Sequence, residues 1–142
     1  MLSYTKDEKM YITPDNITEV AGNQIFVFGS NESGRHGKGA AKTALQWGAK
    51  YGQAEGLQGN TYAIPTVNAS ISNHLKVEKI KMYVDNFIRF AKEKKELHFL
   101  VTEIGCGLAG MSYKHIAPLF KEAYGTENIS LPKRFIKILE KA

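Results

Sequence analysis

Residues 24–45 read Gln-Ile-Phe-Val-Phe-Gly-Ser-Asn-Glu-Ser-Gly-Arg-His-Gly-Lys-Gly-Ala-Ala-Lys-Thr-Ala-Leu. A β-branched and aromatic run, Ile25 to Phe28, stops at Gly29-Ser30-Asn31. A loop with glycines at 34, 37 and 39 follows, and then an alanine-rich stretch that reads as the start of a helix. A strand that feeds a glycine loop and a helix start is an anion cradle. Glycine lets backbone N–H groups approach a ligand, and the helix dipole favours negative charge. The first expectation is therefore a ligand that carries phosphate.

Working outward, the spacing predicts alternating elements. Met10–Thr13 reads as a short strand before Pro14, and Ala21-Gly22-Asn23 as the turn into the strand 24–28. Ala40 to Tyr51 is rich in helix formers, and residues 52–60 read as an irregular connection. Thr61-Tyr-Ala-Ile-Pro-Thr66 is a strand that ends at a proline, and residues 67–75 form a surface loop. Across Val77–Lys94, Val77, Ile80, Tyr83, Val84, Phe87, Ile88 and Ala91 fall at helical spacing. Leu97 to Thr102 is nearly continuous in apolar residues, as a buried central strand should be, and leads into a second glycine loop, Gly105-Cys-Gly-Leu-Ala-Gly110. Ser112 is placed to cap a helix running to Tyr124, with Pro118 at an awkward position inside it that marks a kink or a later helix start. A short strand at 128–131 and a terminal helix at 134–141 complete the pattern.

This alternation predicts one α/β domain over residues 1–142, a three-layer α/β/α sandwich with a mixed central sheet. In such folds ligands sit beyond the carboxyl ends of the strands, where both glycine loops fall. Two such loops on one rim call for a ligand with two anionic centres, such as a diphosphate.

Composition limits the alternatives. With 142 residues, 43% of them hydrophobic and 23% charged, the chain can bury a core and does not resemble a disordered segment. Its formal charge of +5 favours anionic partners without naming one. Lys92, Lys94, Lys95, Lys133, Arg134, Lys137 and Lys141, which supply much of that excess, read as solvated helix faces. The chain lacks the aromatic strand, clamp or helix-turn-helix patterns of common nucleic-acid modules, so nucleic acid is not the expected partner. The single Cys106 forms no internal disulfide, and no Cys/His group has zinc-ligand spacing. Neither a metal nor a cofactor is expected. No apolar run approaches the roughly 18 residues that span a bilayer, and residues 1–9 lack the apolar core of a signal peptide, so a cytoplasmic location is expected.

Three stretches carry a family resemblance. Val27-Phe-Gly-Ser-Asn31 with His36-Gly-Lys-Gly-Ala-Ala41 is similar to the strand end and ribose loop of macro domains, the ADP-ribose-binding α/β modules. Ile104-Gly-Cys-Gly-Leu-Ala-Gly110 resembles the family's second, diphosphate-wrapping loop, and Asp15-Asn-Ile-Thr18 its Gly-Asp-Ile-Thr. The wording also resembles small macro-like proteins of phages and bacteria. The resemblance implies a ligand, ADP-ribose or a related nucleotide, linear or cyclic, free or carried on an ADP-ribosylated macromolecule. It implies that Asn31, Gly37, Lys38 and Gly39 line the distal ribose and its phosphate. Gly105, Cys106, Gly107, Leu108, Ala109 and Gly110 would cradle the diphosphate. Asp15 or Asn16 would read the base, and Thr66 would line the pocket. Three departures stand out: Asn16 for an acidic residue, Lys38 for a glycine, and Ala109 where an aromatic often packs on the ribose.

Two function classes follow. One is a binding module. The other is a hydrolase acting on an ADP-ribosyl bond or on the 1″-phosphate of ADP-ribose, with Asn31 and His36 as its catalytic candidates and Glu103 as another base. Asn31 is equally suited to capping its own loop, and His36 to bonding a neighbouring strand. Cys106 has no histidine beside it in sequence to activate it.

Overall fold

The computed structural model describes residues 12–107 and 109–141. Strand β1 (Gln24–Asn31) lies at the centre of a five-stranded sheet ordered β2-β3-β1-β4-β5. The other strands are β2 (Gly56–Gln58), β3 (Thr61–Val67), β4 (His98–Val101) and β5 (Ile129–Ser130). β3 and β4 flank β1 in parallel, with Phe26 opposite Thr61 on one side and Leu100 on the other. β5 is parallel to β4, and β2 alone runs antiparallel, against β3. The sheet is therefore mixed, as expected.

Alternation along the strands divides the core in two. Ile25, Val27, Tyr62, Ile64, Phe99 and Val101 point to one face, and Phe26, Phe28 and Ala63 to the other. The first face is deep. It meets helix α2 (Val77–Glu93) through Ile80, Val84, Phe87, Ile88 and Ala91, and helix α4 (Lys133–Lys141) through Phe135. Phe87 sits edge-on to Phe99, with ring centroids 5.5 Å apart, and to Tyr62 at 5.1 Å. Each such fully buried ring contributes on the order of 2–3 kcal/mol. The second face is thin. The six-residue helix α1 (Gly39–Ala44) lies on it through Ala41 and Ala44, small enough to approach Phe26 and Phe28 closely. Helices thus cover both faces, making three layers.

Three expectations need correction. The helix expected over Ala40–Tyr51 stops at Ala44 and tightens into a 3₁₀ turn, Leu45–Trp47, ended by Gly48 in the left-handed region (φ 104°). There the Trp47 carbonyl accepts from the Asn60 N–H (2.8 Å), so the tertiary bond to the β2–β3 turn overrides helix propensity. Residues 52–60, expected to be irregular, contain β2, whose Gly-Leu-Gln carries no periodic signal. The helix expected from Ser112 to Tyr124 is a short α3 (Tyr113–Ile116) and then a 3₁₀ helix, Ala117–Ala123. Ser112 does cap it, its Oγ accepting from Lys114 N at 3.1 Å. Pro118 falls in the first turn of the 3₁₀ helix, where its missing N–H costs little. Of the strand expected at 10–13, Ile12 bridges Leu131 in parallel, while Met10 and Tyr11 lie outside the described residues.

Candidate functional site

Because β1, β3 and β4 are parallel, their carboxyl ends share one rim. From that rim the two glycine loops leave β1 and β4, which are neighbours. The second loop is seated against β1: a Cβ added at Gly29 would lie 3.4 Å from Gly105 N and 3.3 Å from Thr66 Oγ1. Gly29, Thr66 and Gly105 therefore meet, and sequence order alone places them 37 and 39 residues apart. Thr66 itself is buried, its hydroxyl donating to Ser30 O at 3.4 Å.

The first loop is tied from within. Asn31 Oδ1 accepts from the Ser33 hydroxyl (2.7 Å) and the Arg35 N–H (2.9 Å), while its Nδ2 donates to Arg35 O (2.8 Å). Three bonds thus bind the Asn31 side chain to its own turn. His36 is fully buried, edge-on to Phe28 at 5.3 Å, with Nε2 3.2 Å from Gln58 Oε1. The Gln58 amide nitrogen already donates to Gln53 O and Gly56 O, so its oxygen is the acceptor and His36 Nε2 carries the hydrogen. The structure gives His36 to the loop's foundation rather than to the rim. Gly37, Lys38 and Gly39 follow, all exposed, and no side chain caps the start of α1.

Among the described residues, the hydrogen bonds of the second loop are main-chain bonds. Cys106 N donates to Glu103 O (3.1 Å), Gly110 N to Gly107 O (3.0 Å) and Met111 N to Gly105 O (2.8 Å). Among the described residues, the N–H groups of Gly105, Gly107 and Ala109 donate to no backbone carbonyl. Leu108 lies outside the described residues. Burial, and secondarily the Glu103 carboxylate, push the Cys106 thiol up to about 11, so it stays protonated and unreactive near neutrality.

Beside these loops, on the thin face of the sheet, lies a cleft of about 740 Å³. It is lined by Ala40 and Thr43 of α1, by Thr102 and Glu103 just after β4, and by Lys133, Arg134 and Lys137 of α4. Asp15 and Asn16 line it too, bringing together the early segment and the two loop flanks. Asn31, Gly37–Gly39, Thr66, Gly105–Gly107, Ala109 and Gly110 border the rim rather than this cleft. Glu103 accepts from the Tyr113 hydroxyl (3.3 Å) and lies 3.8 Å from Arg134 Nε. Arg134 also donates to the Tyr113 hydroxyl and stacks on its ring, 5.0 Å from the centroid. Tyr113 and Arg134 carried no signal for this role in the sequence. A basic residue in a terminal helix looks the same whether it faces water or a cleft.

By sequence the chain matches no protein-family model, and no curated protein matches it significantly. Solved structures do resemble it. A macrodomain protein from Streptomyces coelicolor superposes with a TM-score of 0.55 at 16% identity, over 86% of this chain and 95% of that one. The fold is that of a macrodomain. A protein of unknown function from Bacteroides thetaiotaomicron shares it, with a TM-score of 0.59 at 16% identity, over 86% of this chain and 94% of the other. At such identity the likeness concerns the macrodomain fold and not the ligand. Among the described residues no helix is long and apolar enough to cross a membrane.

Proposed function

We propose that this chain binds ADP-ribose or a closely related diphosphate nucleotide. The observation that carries the reading is the cleft beside the two glycine loops, lined by the flanking residues Ala40, Thr43, Thr102 and Glu103 and reaching Asp15 and Asn16. In this reading the diphosphate lies over the free N–H groups of Gly105, Gly107 and Ala109, with the distal ribose toward Gly37–Gly39. Backbone donors held in a fixed loop suit a diphosphate, because they need no reorganisation on binding. The nucleoside then extends into the cleft toward Asp15 and Asn16. Free nucleotide and ADP-ribosylated macromolecules present the same group to such a site.

Binding is favoured over hydrolysis by the state of the candidate bases. His36 is buried and bonded to Gln58, the Asn31 amide is bonded within its turn, and Glu103 is engaged by Tyr113 and Arg134. Isothermal titration with ADP-ribose tests the proposal. Saturable heat in the micromolar range is expected, and no heat at millimolar ligand overturns it.

A further inference from the structure

Resting on that reading, we infer that the α4 end of the cleft is a second anion subsite, shaped for a phosphomonoester on the nucleoside side of the ligand. Three independent features converge there. Thr13 is 4% exposed and lines the cleft, and its hydroxyl has no hydrogen-bond partner among the described residues. A buried hydroxyl left unpaired is costly, so such groups ordinarily meet a partner. Thr13 N donates to Leu131 O (2.9 Å), which fixes the residue beside the start of α4.

The second feature is that helix start. Pro132 precedes the helix and has no side-chain acceptor to cap it. Its carbonyl accepts from Phe135 N and Ile136 N, while the N–H groups of Lys133 and Arg134 donate to nothing among the described residues. No acidic residue occupies the first turn. Third, Lys133 and Lys137 stand one helical turn apart, line the same cleft and form no ion pair among the described residues. Like charges at that spacing repel one another, a cost that a bound anion removes.

Among the described residues neither lysine pairs with a carboxylate of the cleft: Glu103 is taken up by Arg134 and Tyr113, and Asp15, which also lines the cleft, forms no ion pair. The unoccupied donors are therefore two amides, one hydroxyl and two ammonium groups, which match the oxygens of a phosphomonoester dianion. In the proposed reading the diphosphate lies over the glycine loops, which leaves this end for a further anion. The matching ligand is a diphosphate nucleotide with an additional phosphate on the ribose that bears its base.

The test titrates the full chain with ADP-ribose and with ADP-ribose phosphorylated at the 2′ or 3′ position of its adenosine. The wild type is expected to prefer a phosphorylated form about tenfold, as charge-assisted bonds of this kind allow. Lys133→Ala combined with Lys137→Ala should bring that affinity ratio close to one, and Thr13→Val should lower it. An unphosphorylated ligand that binds as well as both phosphorylated ones overturns the inference and leaves the nucleotide reading standing. A ratio that survives the double lysine variant overturns it too. Binding of a phosphorylated form without binding of ADP-ribose supports the subsite and removes plain ADP-ribose as the ligand. Failure of all three ligands at millimolar concentration removes both.

Discussion

The two glycine loops leave adjacent parallel strands at the same rim, yet they are built by opposite means. The loop after β1 is fastened by side chains: Asn31 bonds three times within its own turn, and His36 is sunk against Phe28 and Gln58. Among the described residues the loop after β4 is fastened by backbone bonds, and Gly107 and Gly110 stand in the open. Glycine content is similar, so glycine content does not describe the loops. A side-chain-locked loop makes a fixed wall. In the other loop, among the described residues, the N–H groups of Gly105, Gly107 and Ala109 donate to no backbone carbonyl.

The comparison is most exposed at the glycines themselves. Gly34 has φ 72°, and a Cβ there would lie 2.5 Å from Gly52 C and 2.7 Å from Gln53 N, both backbone atoms. Gly34→Ala should cost about 4 kcal/mol or more, read as a shift of the urea midpoint, because strain and an unrelieved clash add. A shift worth less than about 1 kcal/mol would mean that the first loop is not fixed against residues 52–53.

Next in size is His36→Ala. It empties a fully buried site and leaves Gln58 Oε1 with only the Lys50 N–H, so a loss of about 2–4 kcal/mol is expected in the same experiment. A stability unchanged from wild type would free His36 from its structural role and return it to the catalytic candidates.

Smallest is Gly110→Ala. Its φ of 74° resembles that of Gly34, but nothing lies within 4 Å of the added Cβ. Only the conformational cost remains, about 1–2 kcal/mol. Equal losses at positions 34 and 110 would break the distinction between the loops, and a larger loss at 110 would reverse it.

Much of the fold was legible because it rests on local rules. The apolar runs at 25–28, 61–66 and 97–102 marked the three parallel central strands, and the 3.6-residue spacing from Ile80 to Ala91 marked α2. β2 was not legible, since three residues without alternation carry no period. Helix propensity misjudged Ala40–Tyr51 for a different reason: the Asn60-to-Trp47 bond is a contact between segments 13 residues apart, invisible in any local window.

The site divides in the same way. Asp15 and Asn16 reach the cleft, and the loops reach the rim, as strand order and the carboxyl-end rule require. Thr13, Tyr113, Arg134 and Lys137 were not singled out, because each is an ordinary residue type in an ordinary pattern. Lys133 and Lys137 read as a solvated face, and their spacing is indeed that of one; only the folded chain turns the face toward a cleft.

By itself, then, the sequence determined the alternation of strands and helices and the position of two glycine loops at strand ends, because periodicity and turn chemistry act over a few residues. Which loop is locked by side chains and which, among the described residues, by backbone bonds was decided by tertiary structure. Burial of His36 against Phe28 and Gln58, the seating of Gly105 over Gly29, and the approach of α4 to Thr13 and Glu103 join residues far apart in the chain. Packing in three dimensions alone sets which polar groups find partners and which remain for a ligand.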